Sequence, residues 1–70
     1  MNIKFNGKLI EVLGVVSLED ILTEQAVLHG FKLDACVAAI NLQFIHQDGY
    51  AQYEVKEGDD IELLTAVVGG

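Results

Sequence analysis

The dipeptide Asn6-Gly7 stands between two short runs in which apolar and polar residues alternate. Alternation with a period of two is typical of half-buried β-strands. Asn-Gly is the strongest short hairpin signal, because both residues tolerate the positive φ angles of a type I′ turn. The sequence therefore predicts an antiparallel hairpin with strands at residues 2–6 and 8–13. Apolar residues on both sides of the second strand predict that part of it is covered on both faces.

One helix is predicted after the hairpin. Ser17 is a good N-cap residue, and Asp20 stands three positions later, where a capping box has an acidic side chain. Gly30 is expected to end the helix in the left-handed conformation. The expected buried stripe consists of Leu18, Ile21, Leu22, Ala26, Val27 and Leu28, with Thr23, Glu24 and Gln25 on the solvent side.

Three further strands are predicted in the rest of the chain. Residues 35–42 are apolar nearly throughout, residues 44–45 form a short edge strand, and residues 60–66 form the last strand. A weak turn is expected at 41–43 and one tight helical turn near Tyr50. The hairpin and the helical crossover place the helix over a mixed sheet. The predicted fold class is α+β, a five-stranded β-grasp sheet with one crossing helix and the last strand beside the first.

Length and charge exclude several classes of function. Seventy residues make one small domain, in which a large catalytic cleft beside a core is not expected. The formal net charge is −7, with four lysines and no arginine. Binding to nucleic acid and to anionic membranes depends on Lys and Arg, so neither is an expected partner. No signal peptide or membrane-spanning run is found, and a cytoplasmic location is predicted.

The polar and sulfur-containing side chains do not form a recognisable catalytic pattern. Cys36 lies in an apolar run and is expected to be a small buried hydrophobe. His29 is explained by its place near a helix C-terminus, and His46 has no nucleophile placed with it. The acidic residues Glu57, Asp59, Asp60 and Glu62 lack the ligand order of a calcium loop and predict a solvated turn instead.

The chain ends on Gly69-Gly70, whose backbone can adopt almost any conformation and enter a narrow channel. Such an end has one reactive group, the α-carboxylate of Gly70. Two interpretations remain open at this point: a frayed terminus of the ordinary kind, or a reactive tail. The expected division is a β-grasp domain at residues 1–66 and a flexible tail at 67–70.

The chain resembles the sulfur carrier proteins of thiamine biosynthesis, the ThiS family, over essentially its whole length. The motifs that match are Ile3-Lys4-Phe5-Asn6-Gly7, residues 16–22 at the helix start, and Ala38-Ala39-Ile40-Asn41. The most specific match is residues 57–70, which end in Thr-Ala-Val-Val-Gly-Gly. The resemblance implies a ubiquitin-like fold and a protein that is a co-substrate, not an enzyme.

The resemblance also implies the chemistry of the tail. Gly70 would be adenylated by an E1-like adenylyltransferase of the ThiF type and converted to a thiocarboxylate, with Gly69 required for access. The partner would use ATP, and no bound cofactor or metal is expected in this chain. The sulfur would come from a cysteine desulfurase persulfide or another donor, and a thiazole synthase of the ThiG type would receive it.

The sequence departs from the family pattern at two places. Asn41-Leu42 stands where members often have Asn-Gly, and residues 44–50 lack the Pro and Arg that members often have before an aromatic residue. Leu64, Val67 and Val68 are predicted to bind partners, because the last strand has more apolar residues than a small core needs. The alternative for Leu64 is packing under a loop. Alternative functions are a molybdopterin synthase small subunit and a ubiquitin-like protein modifier.

Overall fold

A computed structural model of the chain describes residues 1–65, and for Thr65 it describes the backbone alone. The predicted order of elements is confirmed. Two short 3-10 helices, Leu33–Ala35 and Gln47–Gly49, precede and follow the second hairpin. The regular elements are β1 (Asn2–Phe5), β2 (Lys8–Glu11), α1 (Leu18–His29), β3 (Cys36–Ile40), β4 (Gln43–Ile45) and β5 (Asp60–Thr65).

The five strands form one mixed sheet in the order β2-β1-β5-β3-β4. The last strand, β5, runs parallel to β1 and antiparallel to β3, so it is central although it comes last in the chain. Helix α1 covers one face of this sheet. The predicted β-grasp fold class is confirmed, whereas Ala66 and the predicted tail, residues 67–70, lie outside the described residues.

The core lies between α1 and the sheet. Its four largest fully buried side chains, Ile3, Leu18, Leu22 and Ile61, come from β1, α1 and β5. Burial of an aliphatic side chain of this size contributes about 1.5–3 kcal/mol relative to leaving it exposed. The other members of this cluster are Phe5, Ile21, Ala38, Ile40, Tyr50 and Val55.

Both ends of α1 have the predicted caps. The Ser17 hydroxyl accepts a hydrogen bond from the Asp20 amide at 3.1 Å, and the Asp20 carboxylate accepts one from the Ser17 amide at 3.2 Å. At the other end Gly30 has φ 73° and donates its amide to the Ala26 carbonyl at 2.8 Å. Local sequence signals therefore place both helix ends.

The predicted buried stripe of α1 is wrong over its second half. Val27 is 79% exposed, because nine residues at 3.6 per turn place it opposite Leu18. Leu28 is 65% exposed, although it lines an open groove together with Ile10. Gln25, which was expected in solvent, is buried on the core side.

The expectation that β2 is covered on both faces is also wrong. β2 is an edge strand, and α1 covers only the face to which Ile10 contributes. Leu9 points to the other face and is largely exposed, while Leu13 lies beyond the strand and is exposed as well. A sheet with a single helix has only one covered face, so a strand with two apolar sides exposes one of them.

The turn between β3 and β4 is a two-residue hairpin loop, tighter than the weak turn expected from the sequence. Asn41 and Leu42 have φ angles of 51° and 71°, both in the left-handed region, and Ile40 pairs with Gln43 across the loop. The Asn41 side chain accepts from the Asp60 amide at 3.0 Å and donates to Asp59 at 3.1 Å. These bonds fasten the loop to the start of β5.

Asp59 corrects the prediction of a wholly solvated acidic turn. Its side chain is 6% exposed and accepts three hydrogen bonds. The donors are the Asn41 amide group, the Tyr53 hydroxyl at 3.3 Å and the Lys56 backbone at 2.9 Å. Burial, with the charge and hydrogen bond of Asp59, raises the pKa of Tyr53 and keeps it a donor. Hydrogen bonds to a charged group contribute about 1.5–3 kcal/mol each, so Asp59 anchors the entry to β5.

We expect Leu42→Gly to stabilise the fold. A leucine in the left-handed region costs roughly 1–2 kcal/mol, and the Leu42 side chain is exposed, so its removal loses little packing. The greater conformational freedom of glycine in the unfolded chain offsets about 0.4–1 kcal/mol of the gain. Urea unfolding should show a net gain of about 0.5–1 kcal/mol. Leu42→Ala is the matched control, because it shortens the side chain but keeps the Cβ. An equal gain in both variants would contradict backbone strain as the cause.

Candidate functional site: the end of strand β5

Strand β5 leads toward the C-terminus, and its β1 side is held by the β1–β5 ladder and by the hydrogen bonds that flank it. Lys4 donates its amide to the Asp59 carbonyl at 2.9 Å, and Asn6 donates to the Ile61 carbonyl at 2.8 Å. The next bond runs from the Leu63 amide to the side-chain oxygen of Asn6, at 2.8 Å. The Asn6 side chain therefore adds one hydrogen bond to β5 beyond the point where β1 ends and its hairpin turn begins.

On its other side β5 stays paired with β3 for longer. Leu64 is opposite Val37, and Thr65 is opposite Cys36. The chain thus reaches residue 65 while still held at one edge. Of the predicted site residues, Leu64 lies within this described strand, and Val67, Val68, Gly69 and Gly70 lie outside the described residues.

Leu64 points to the face of the sheet that α1 does not cover. It is 48% exposed and lies beside Val37, which is 41% exposed. Val37 and Ala39 share this face because they are two residues apart, and Ala39 pairs with Phe44, which is 71% exposed. We call Val37, Phe44 and Leu64 the outer apolar patch. Among the described residues, Leu64 is half-exposed and is not enclosed under a loop.

Sequence reasoning missed Val37 and Phe44 as members of this patch. Val37 lies in a nearly continuous apolar run. Such a run has no alternation of apolar and polar residues, so it does not show which side chains are exposed. Phe44 was placed correctly in an edge strand. Because neighbouring residues of a strand face opposite sides, its position next to the half-buried Ile45 was the available signal that Phe44 is exposed. Their proximity to Leu64 depends on the pairing of β3 with both β4 and β5.

The remaining candidates for chemistry have structural explanations. Cys36 is buried, and its thiol donates to the Lys32 carbonyl at 3.2 Å. A ring nitrogen of His29 is 3.1 Å from the Gln25 side-chain oxygen. Within residues 1–65 no three His, Cys, Asp or Glu side chains are grouped as metal ligands. In the same part of the chain, no helix has the length and apolar content needed to span a membrane.

A five-stranded mixed sheet, one crossing helix and a central last strand leading to the C-terminus define a ubiquitin-like β-grasp protein. The family model of the ThiS family matches residues 3–70. The chain therefore belongs to the ThiS family.

Two solved structures resemble the chain. One is the crystal structure of the thiamine biosynthesis protein ThiS from Geobacter metallireducens, with a TM-score of 0.80, 25% identity and full coverage of both chains. The other is the solution structure of a thiamine biosynthesis protein from the same organism, with a TM-score of 0.70 and 19% identity. The match covers 100% of this chain and 87% of the other. At 19% identity it supports the fold alone. No curated protein sequence gives a significant match.

We expect the Asn6 side chain to hold the end of β5. Asn6→Gly keeps the left-handed turn but removes the bond to the Leu63 amide, whereas Asn6→Asp retains an acceptor. Hydrogen exchange at the Leu63 amide should be about tenfold faster in Asn6→Gly, equivalent to the loss of a bond of about 1.4 kcal/mol. It should be nearly unchanged in Asn6→Asp. Equal protection in both variants would contradict this role.

Proposed function

We propose that this chain carries sulfur for thiamine biosynthesis as a thiocarboxylate on Gly70. The observation that carries the proposal is the ThiS family match, which extends to residue 70 and so includes Gly69-Gly70. The fold supports it, because the central strand β5 delivers the chain to that terminus from the middle of the sheet.

The proposed chemistry takes place on the α-carboxylate. A carboxylate is a poor acyl donor, because oxide is a poor leaving group. A carboxylate oxygen attacks the α-phosphorus of ATP and pyrophosphate leaves, which gives an acyl adenylate. A sulfur donor then attacks the carbonyl carbon and AMP leaves with both electrons of the broken bond. When the donor is a persulfide, its outer sulfur forms the new carbon–sulfur bond and gives an acyl disulfide. A thiol then attacks the donor's inner sulfur and breaks the sulfur–sulfur bond, which leaves the thiocarboxylate and a disulfide between the donor and the thiol.

This chain supplies the acyl group and its placement, and its partners supply the catalysis. The partners are an adenylyltransferase of the ThiF type, a cysteine desulfurase or other persulfide source, and a thiazole synthase of the ThiG type. The five residues after Thr65 extend about 17 Å at 3.3–3.6 Å per residue. That length reaches into a partner's pocket while the folded domain stays at its surface.

The outer apolar patch supports a docking role for Leu64. An exposed apolar cluster on a small domain is a common interaction site, and this one lies beside the last described residues of β5. The net charge of −7 favours a partner with a basic docking face. Val67 and Val68 are proposed to extend the contact from the patch along the tail.

Intact mass of the purified chain tests the proposed chemistry. Incubation with the adenylyltransferase, ATP and a sulfur source should replace one oxygen of the chain by sulfur. Deletion of Gly70 should abolish both this change and the rescue of a thiazole-requiring strain. Full rescue by the shortened chain would contradict the proposal, and conjugates of higher mass would favour a protein modifier. Rescue of molybdopterin synthesis instead would favour a molybdopterin synthase subunit.

Leu64→Ala tests docking separately from chemistry. Truncating an exposed anchor in the outer apolar patch should weaken binding to the adenylyltransferase by about tenfold, since each of the few residues that dominate an interface costs more than about 1 kcal/mol when truncated. Unfolding by urea should change little, because Leu64 is half-exposed. Val27→Ala is the matched control, as an exposed aliphatic residue on the far side of α1. Unchanged affinity of Leu64→Ala would contradict the docking role.

A further inference from the structure

A groove of about 440 Å³ opens beside the outer apolar patch, between the start of β3 and the end of β4. Its floor contains the buried side chains of Cys36 and Tyr50, and its walls include Val37, Phe44 and Ile45. Burial raises the pKa of the Tyr50 hydroxyl, which is therefore uncharged at neutral pH. The buried side chains and the apolar walls give the groove a largely apolar interior for an inserted side chain.

The groove exists because β4 leaves β3 early. The last paired residues are Ala38 and Ile45, and a continued register would place Gln47 opposite Cys36. Instead the 3-10 helix Gln47–Gly49 turns the chain away. The first two residues of β3 are then covered by β5 on one side and are open to the groove on the other. A gap of this origin is fixed by backbone pairing and is present before any partner binds.

The charged side chains that line the groove are acidic. Asp34, before β3, and Asp48, after β4, are both exposed; His46 also lines the groove, and neither Lys nor Arg is among the lining residues. A second groove of similar volume, about 450 Å³, lies at the far side of the sheet and has Lys8 and His29 in its lining, with no acidic residue. The acidic character of the first groove is thus a local feature and not only a consequence of the net charge.

We propose that this groove receives an apolar side chain of the adenylating partner, with a lysine or arginine of the partner beside it. The inference rests on the proposed function and names the chemistry by which that partner recognises this chain. Three observations converge: the groove shares Val37 and Phe44 with the outer apolar patch, Cys36 pairs with Thr65 where β5 ends, and two carboxylates flank the opening. The net charge of −7 and the two carboxylates at the opening favour basic side chains on the partner at this contact.

Charge reversal at the opening tests the inference. The probe is the purified ThiF-type adenylyltransferase from the same genome, with its affinity for the full chain measured by titration calorimetry at low and high salt. Asp34→Lys and Asp48→Lys should each raise Kd by about five- to tenfold at low salt, because like charges then face each other across the interface. The effect should shrink at about 0.5 M salt, where the Debye length is only a few ångströms.

Glu24→Lys is the matched control, since it makes the same change in net charge at an exposed position on α1. A second variant, Ala35→Phe, fills the groove without changing the charge. It should raise Kd by about tenfold at both salt concentrations, the loss of one anchor side chain. Circular dichroism and urea unfolding of each variant verify that the chain still folds.

The outcomes separate the two proposals. If Asp34→Lys and Asp48→Lys bind as tightly as Glu24→Lys, or if Ala35→Phe binds as the wild type does, the groove is not the contact. If binding to the adenylyltransferase is unchanged and binding to the thiazole synthase is lost, the occupant is a different partner and the inference is wrong. If the wild-type chain never gains sulfur in the mass experiment, the proposed function fails, whatever the groove does.

Discussion

The pairing of β5 between β1 and β3 is the interaction on which the rest of the structure depends. It joins the two hairpins, which are far apart in the sequence, into one sheet, and it provides the core with Ile61. The ends of β5 are held differently. Asp59 and Asn41 fix its entry through side-chain hydrogen bonds, whereas Asn6 gives the last bond on the β1 side of its exit. The strand is thus anchored where it begins and free of β1 where it leads to the C-terminus.

Placing all the covering structure on one face has a functional consequence. Helix α1 buries the inner side chains of the sheet, so the opposite face has only its own side chains to present. Lysine and acidic side chains occupy much of that face, but Val37, Phe44 and Leu64 form an apolar surface at the end where β5 leads out. The same end has the groove between β3 and β4. The outer apolar patch, the groove and the described end of β5 therefore lie at one end of a very small domain.

The wrong predictions of burial share one origin: each was made from the hydrophobic or charged character of a residue, without knowledge of what covers it. Val27 was expected to be buried, and part of the second strand was expected to be covered on both faces, because hydrophobic character was taken as evidence of burial. A single helix leaves Val27, Leu9 and Leu13 without a covering layer. Asp59 was expected in solvent because it is charged. Its burial depends on donors from Asn41 and Tyr53, and no local pattern indicates that partners from two other segments converge on it.

The sequence by itself determined the local features: the Asn6-Gly7 hairpin, both caps of α1, the type of each element along the chain, and the terminal motif that resembles the family. Each depends on residues within a few positions of one another, whose backbone preferences act before any packing. Tertiary structure alone decided that Leu42 adopts a left-handed conformation, because the tight pairing of β3 with β4 imposes it. It also decided that Val37 lies beside Leu64, that Phe44 shares their face one strand further on, and that a groove opens beside them, because this arrangement arises only when strands distant in sequence lie side by side.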